Sequence, residues 1–438
     1  MDRPILDYAD AVWRGTETLA PYFSGQLNRE GLHELADGVW MWPATGNVYA
    51  FATADGLVLF DTGDRTNAQR LHAAVRERSS LPVTTAIYSH GHIDHVLGLG
   101  PFEEQALADG APAVTVVAHE AVTARFDRYR LTAGYNAVVN QRQFRAPGLT
   151  WPTVYREPDR TYDDRLTLPA GDLQIELRHG RGETDDATIA WLPQRRILCC
   201  GDFYAWNAPN AGNPQKAQRY VAEWAQALRW MASLGADLLL PGHGVPIVGP
   251  ERIAETLLAA AEVLSTLHAA VLERMNAGMT LDEILHTDVL TPAVSALLTR
   301  PYLRPTYDEP EFIVRNLWRQ YGGWYDGDPS ALKPAPRAEL ASELAELVGG
   351  PEKLAERALV LLQDGRLKLA GHLAELAALS APDDDAVHEA RAQVFAALEE
   401  QAPSFMARGI YAWAAAQSRA RADGSDPWSA MRGGRWAP

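Results

Sequence analysis

Cysteine is nearly absent: a chain of 438 residues holds two, Cys199 and Cys200, side by side. Neighbours on an extended strand point to opposite faces, so a structural disulfide between them is not expected. Long apolar runs are missing as well. None approaches the ~20 residues a helix needs to span a bilayer, and the start, Met1-Asp2-Arg3-Pro4-Ile5-Leu6-Asp7-Tyr8, has no signal-peptide core. A cytoplasmic protein without a membrane span is the expectation. Basic residues are in deficit, 40 Lys and Arg against 56 Asp and Glu, for a net charge of −16. That balance argues against nucleic acid and anionic membrane surfaces as partners. It leaves room for a small anionic substrate, because a metal sets the field in its own site.

What is present is a soluble globular composition, with 47% hydrophobic and 22% charged residues, at a length that suits two or three domains. The most informative stretch is Ser89-His90-Gly91-His92-Ile93-Asp94-His95. It follows Val83-Thr84-Thr85-Ala86-Ile87-Tyr88, which reads as a buried strand. Histidine is the commonest zinc ligand and carboxylate its usual companion at catalytic metals. In an extended chain His90 and His92 point the same way, and Asp94 with His95 turns to a second position, so one segment can serve two metals.

Further strands are expected at 38–42, 47–51, 57–60, 113–118, 173–177, 188–192, 197–200 and 238–240, with Asp55-Gly56 as a hairpin turn and a helix running through Ala73, Val75 and Arg78. Strands alternating with helices suggest a layered α/β domain with polar residues gathered at strand ends. Glu183, Asp202 and His243 each follow such a strand on a glycine-bracketed turn and are further candidate ligands. After about Pro250 the pattern becomes helical, with segments expected at 338–348, 351–364, 368–379, 386–399 and 404–420. The division expected is a catalytic domain over 1–250, an α-helical domain over 251–422 and an irregular tail over 423–438.

The order Asp61-Thr62-Gly63, His90-x-His92-x-Asp94-His95, then Asp202 and His243, resembles the metallo-β-lactamase fold of metallo-hydrolases over roughly residues 35 to 250. That resemblance implies an αββα sandwich with metals in a groove at one end of its two sheets. Glu183 before Thr184 stands where the wider superfamily carries a His, which looks like the alkylsulfatase branch. Pro301-Tyr302-Leu303-Arg304-Pro305-Thr306-Tyr307, Phe312–Arg319, Tyr321–Gly327, Leu369–Glu375 and Met406–Ile410 resemble the alkylsulfatase dimerisation domain. The resemblance implies a homodimer and two zinc ions, iron being less favoured. By position it puts His90, His92 and Glu183 on the first zinc, Asp94, His95 and His243 on the second, and Asp202 between them. It gives Asp94 and Asp61 catalytic roles, Asp61 by fixing the cluster loop through hydrogen bonds.

The implied reaction is hydrolysis of a small-molecule ester, an alkyl sulfate first, with lactone, thioester or phosphoester hydrolysis and iron redox chemistry as alternatives. Two departures bear on the ester. Glu183-Thr184-Asp185-Asp186-Ala187 lacks the paired glutamates associated with alkylsulfatases, and the chain leaves no room for their sterol-carrier-like third domain. Asn136, Asn140, Gln141 and Arg142 are expected in a loop over the groove. Arg304, Tyr307 and Arg319 are candidates for an anion pocket, since Arg forks suit sulfate and carboxylate alike. His119 and His179 are weaker candidates, and the remaining histidines are expected to be structural or exposed.

Overall fold

The computed structural model describes residues 4–431. Its first sheet follows the chain in order: β1 (His33–Ala36), β2 (Val39–Trp42), β3 (Val48–Thr53), β4 (Gly56–Phe60), β5 (Val83–Ile87), β6 (Thr115–His119) and β7 (Arg160–Tyr162). It begins as an antiparallel meander and turns parallel from β4 to β7. The second sheet holds β8 (Arg165–Ala170), β9 (Leu173–Gly180), β10 (Ala187–Leu192), β11 (Ile197–Gly201), β12 (Leu238–Pro241) and β13 (Ile247–Val248), with β11 and β12 its parallel pair. The nine expected strands are β2 to β6 and β9 to β12. The short strands β1, β7 and β13, and the six-residue β8, were not anticipated.

The alternation of side chains along these strands builds the layers. Tyr49, Phe51, Val58 and Phe60 join one apolar cluster with Ile175, Leu177, Ile189 and Leu198 of the second sheet. Their neighbours Val48, Ala50, Leu57 and Leu59 join a different cluster with Leu71, Val75, Phe102, Val122 and Phe126, which come from helices on the outer face. β3 and β4 are thus apolar on both faces, and each fully buried Val, Leu or Phe stabilises the fold by about 1.5–3 kcal/mol. Helices Val221–Ser233 and Pro250–Asn276 cover the second sheet, completing the αββα sandwich.

Two expectations need correction here. The helix Pro250–Asn276 is long and apolar enough to cross a membrane by length and composition, although no such run was anticipated. Half of that stretch is buried: Ile253, Leu257, Ala260, Leu264 and Leu267 pack into the sandwich core, which accounts for its apolar character. The segment carrying Asn136, Asn140, Gln141 and Arg142 is a helix, Ala133–Phe144, in place of the expected loop.

The main cluster runs from Ile5 to Leu317, so the boundary expected at 250 falls inside one continuous core. The chain before β1 also contributes a helix, Ile5–Trp13, whose Ile5, Tyr8, Ala9 and Val12 enter that core. The helices Arg337–Val348, Pro351–Gln363, Leu367–Ser380, Asp385–Gln401 and Phe405–Asp423 match the expected series and form separate apolar clusters. Side chains set two of their starts: Asp384 accepts from Val387 N at 2.9 Å and Ser404 from Ala407 N at 3.2 Å. The expected tail contains a short helix, Pro427–Ala430, and its residues 432–438 lie outside the described residues. The last long helix touches Ala133–Phe144 at Gly409, where a Cβ would sit 2.9 Å from the Gln143 backbone. This contact brings the helical region against the α/β domain.

A second junction uses a buried acid. Asp308 is 0% exposed and accepts hydrogen bonds from Gly212 N and Glu309 N. Burial dominates those bonds and pushes its carboxyl from an ordinary 3.8 up to about 7. The stability linked to this group is full below the unfolded value and is lost as pH climbs through about 7. Asp308→Asn should therefore flatten the pH dependence of the melting temperature between about pH 4 and about pH 7. An unchanged profile in thermal unfolding would show that Asp308 does not titrate in that window.

Candidate metal centre

Four strand ends supply the site. Asp61 follows β4, the His90–His95 loop follows β5, Asp202 follows β11 and His243 follows β12. β4 and β5 are parallel neighbours, as are β11 and β12, so their C-terminal ends open on the same edge of the sandwich. Asp61 takes a left-handed backbone (φ 60°) and is 1% exposed. Its carboxylate accepts from Ser89 N at 2.6 Å, from Ser89 Oγ at 2.7 Å and from His95 Nδ1 at 2.7 Å. It thus folds the histidine loop back and turns the other nitrogen of His95 toward the site. Gly91 N donates to Asp186 at 2.9 Å, and buried Arg125 pairs with Asp185 and Asp186 behind it.

The His243 loop is held from the opposite sheet. Buried Asn47 donates to the carbonyls of Pro241 and Gly244, each at 3.0 Å, and Tyr49 donates to Pro241 O at 2.7 Å. Gly242 has no Cβ because one would lie 2.0 Å from Asp202 Oδ1. The result is two groups of donors: His90, His92 and Asp202, then Asp94, His95 and His243, the ligand atoms of each within 4.8 Å of one another. Asp202 touches both groups. Its carboxylate oxygens lie 3.5 Å from His90 Nε2, 3.5 Å from His95 Nε2 and 3.2 Å from His243 Nε2.

A cation pair fits these residues. His95 Nε2 and Asp202 Oδ1 are buried without a hydrogen-bond partner and face the space between the groups. The field points the same way. Burial lowers His95, but Asp202, Asp61 and Asp94 outweigh it and raise the imidazole to about 10. His243 rises to about 9 against burial through Asp202 and Asp94. Burial pulls His90 down to about 4 and His92 well below its ordinary value, so both rings are neutral and ready to donate a lone pair. A neutral pair beside a pair that attracts positive charge is the setting a divalent cation needs.

Two models of known families match this chain. The metallo-beta-lactamase superfamily model covers residues 41–243 and the alkyl sulfatase dimerisation model residues 280–421. Residues 41–243 are thus a metallo-β-lactamase superfamily domain, and residues 280–421 an alkyl sulfatase dimerisation region. It is 25% identical over 389 residues to a linear primary-alkylsulfatase of Pseudomonas sp., covering 84% of this chain and 73% of that one. It is 25% identical over 398 residues to an (R)-specific secondary-alkylsulfatase of Pseudomonas sp., spanning 83% of this chain and 58% of the relative. A solved stereoselective inverting sec-alkylsulfatase of Pseudomonas sp. superposes with a TM-score of 0.79 at 21% identity, covering 95% of this chain and 70% of that structure.

Not every residue read from the sequence enters the metallo-β-lactamase centre. Glu183, expected beside His90 and His92, stands outside both groups. Its Oε1 lies 2.5 Å from Arg219 Nη1 and accepts from Asn210 Nδ2 at 2.6 Å, and burial raises its carboxyl against the pull of Arg219. Asn140, Arg304 and Tyr307 line a cavity of about 480 Å³ that opens onto His92, Asp94, Glu183, Asp202 and His243. Arg319 does not line it, because its guanidinium is bound to Gln218 and Asn316. His119 and His179 stack on each other with ring centroids 3.6 Å apart and join neither group. Asn213, Lys216 and Arg219 line the cavity too and were missed, since nothing in their local sequence marks a ligand.

Asp61→Asn keeps the left-handed backbone open to it but loses the charge that orients His95. Its affinity for a divalent cation should fall by about ten- to a hundredfold, measured by competition with a chromophoric chelator. Wild-type affinity would exclude that orienting role.

Proposed function

We propose that this protein is a dinuclear zinc hydrolase of alkyl sulfate monoesters that works as a homodimer. The observation that carries this reading is the pair of donor groups sharing Asp202 at one end of a cavity whose other walls are largely apolar. Leu19, Phe23, Ile93, Phe144 and Trp151 supply those walls, a surface suited to a hydrocarbon tail. The alkylsulfatase names of the similar proteins point to the same ester. The reaction adds water across the ester and yields the alcohol, sulfate and a proton.

When bound, two divalent cations supply a nucleophilic water at neutral pH and neutralise charge that develops on the ester oxygens. The protein's own part is to hold the donors rigid and to exclude bulk water. Asp61 and Asp186 fix the histidine loop, while Asn47 and Tyr49 fix the His243 turn. The zinc assignment rests on imidazole and carboxylate donors, which suit zinc at a catalytic position. Two buried free cysteines, Cys199 and Cys200, support a reducing, cytoplasmic location.

Chelator-stripped protein should release no sulfate from a series of alkyl sulfates, and zinc should restore release, read as sulfate by ion chromatography. Turnover of a lactone, thioester or phosphodiester by zinc-loaded protein that leaves every alkyl sulfate intact would replace the sulfate ester with that substrate. Sedimentation at micromolar concentration should give twice the chain mass, and a monomer would remove the homodimer from the proposal.

A further inference from the structure

Three of the four histidines in the two donor groups have their outward ring nitrogen held. His90 Nδ1 meets Ser89 Oγ at 2.9 Å, His95 Nδ1 donates to Asp61 at 2.7 Å, and His243 Nδ1 donates to the Thr45 carbonyl. Outer bonds of this kind fix the tautomer and the aim of a metal-binding imidazole. His92 is the exception. Its Nδ1 turns inward to His90 Nε2 at 2.7 Å, and among the described residues no hydrogen bond holds its Nε2. What surrounds His92 instead leads back to Arg125, on the helix Ala121–Leu131. Arg125 is 6% exposed; its Nε lies 2.8 Å from Asp186 Oδ2 and its Nη2 pairs with Asp185. The same Asp186 oxygen accepts from Gly91 N at 2.9 Å, one residue before His92. The guanidinium also lies over the Tyr129 ring at 6.0 Å, and that ring stands beside His92 with centroids 6.4 Å apart.

We propose that Arg125 is the positioning residue for His92, serving the first donor group as Asp61 serves His95 in the second. Through Asp186 it holds the backbone ahead of the ring, and through Tyr129 it holds the wall beside the ring. The fit is close, since a Cβ on Gly91 would come within 2.9 Å of Arg125 Cδ and 3.1 Å of Asp186 Oδ2. An imidazole that must be ordered as the cation arrives binds it more weakly than one ordered beforehand. Asp186 is fully buried, and a carboxylate in such a place needs a charged partner, which the guanidinium supplies. Arg125 makes no ion pair with Asp94 and no hydrogen bond to His95 or His243 among the described residues, so its hold stays with the first group. The two cation positions can therefore be loosened separately. This assignment rests on the dinuclear centre proposed above.

The test uses the full-length protein, stripped with a chelator and titrated with cobalt(II) or zinc(II) alone. Calorimetry gives the affinities, mass spectrometry the metal content, and visible absorption the cobalt environment. Wild type should bind two cations per chain. The double variant Arg125→Gln with Asp186→Asn removes both charges, so no buried carboxylate is left unpaired. It should weaken one binding event by about ten- to a hundredfold and leave the other unchanged. Its spectrum with one cobalt should match that of His92→Ala. Arg125→Lys should recover only part of the loss, because one ammonium cannot span Asp185 and Asp186 as a fork does. Should the double variant fail to fold, Asp185→Asn frees one arm of Arg125 at a side chain that is 40% exposed. It should weaken the same event severalfold. Wild-type affinity at both positions in the folded variants, or equal weakening of both, would overturn the role of Arg125 and leave the dinuclear centre intact. A wild type that binds a single cation would sink the dinuclear reading. The role of Arg125 then stands if His92→Ala and the double variant both weaken that cation, and falls if either leaves it unchanged.

Discussion

Asp202 sits under three imidazoles at the edge of the sandwich, and the rest of the site depends on that contact. A buried carboxylate is costly unless positive charge lies against it, and removing one partner of such a buried group costs about 3–5 kcal/mol. Asp202 is almost enclosed, with 8% of its side chain exposed, and touches His90, His95 and His243 within 3.5 Å. Those rings come from different strand ends of two sheets. The contact therefore fastens one sheet to the other at the place where chemistry would occur. The missing Cβ of Gly242 and the left-handed backbone of Asp61 both serve this closeness.

The cavity that opens from this centre has two chemically distinct ends. Aspartates and imidazoles line one part of it, and Lys216 and Arg219 stand along another. An ester with a charged head and an apolar tail matches that sequence of surfaces better than a neutral one. The walls come from parts of the chain that are far apart. Val12, Leu19 and Phe23 precede β1, Asn140 and Phe144 come from a helix, and Pro301 to Tyr307 belong to the region matched by the dimerisation model. Gly409 against Gln143 and Asp308 against Gly212 are contacts that join this later region to the α/β domain.

Much of the fold was legible because it rests on local pattern. Strands such as β3 and β4 carry unbroken apolar runs, and the later helices carry Ala, Leu and Glu between clear breaks. Short edge strands escaped notice because β7 has three residues and β13 two, too few for a period to show. The helix Ala133–Phe144 was read as a loop because Gly134, Asn136 and Asn140 are weak helix formers, and in the fold Gly409 and Phe405 pack against it. In the site, the His90–His95 cluster was legible because ligand chemistry depends on residue type and spacing. Lys216 and Arg219 were not, because nothing in their local sequence marks the cavity that they line.

The amino-acid order by itself determined the donor chemistry and the strand ends that carry it, since a run of imidazoles and carboxylates behind a buried strand has few other uses. It also determined the helical character of the last third, through apolar residues at helical spacing. Tertiary structure alone decided that Asp202 would face both groups, that Glu183 would turn to Arg219, and that Arg319 would be spent outside the cavity. Those outcomes depend on which side chains from distant strands meet in a water-poor space. There, charge pairing and burial are settled by three-dimensional proximity, which position along the chain does not encode.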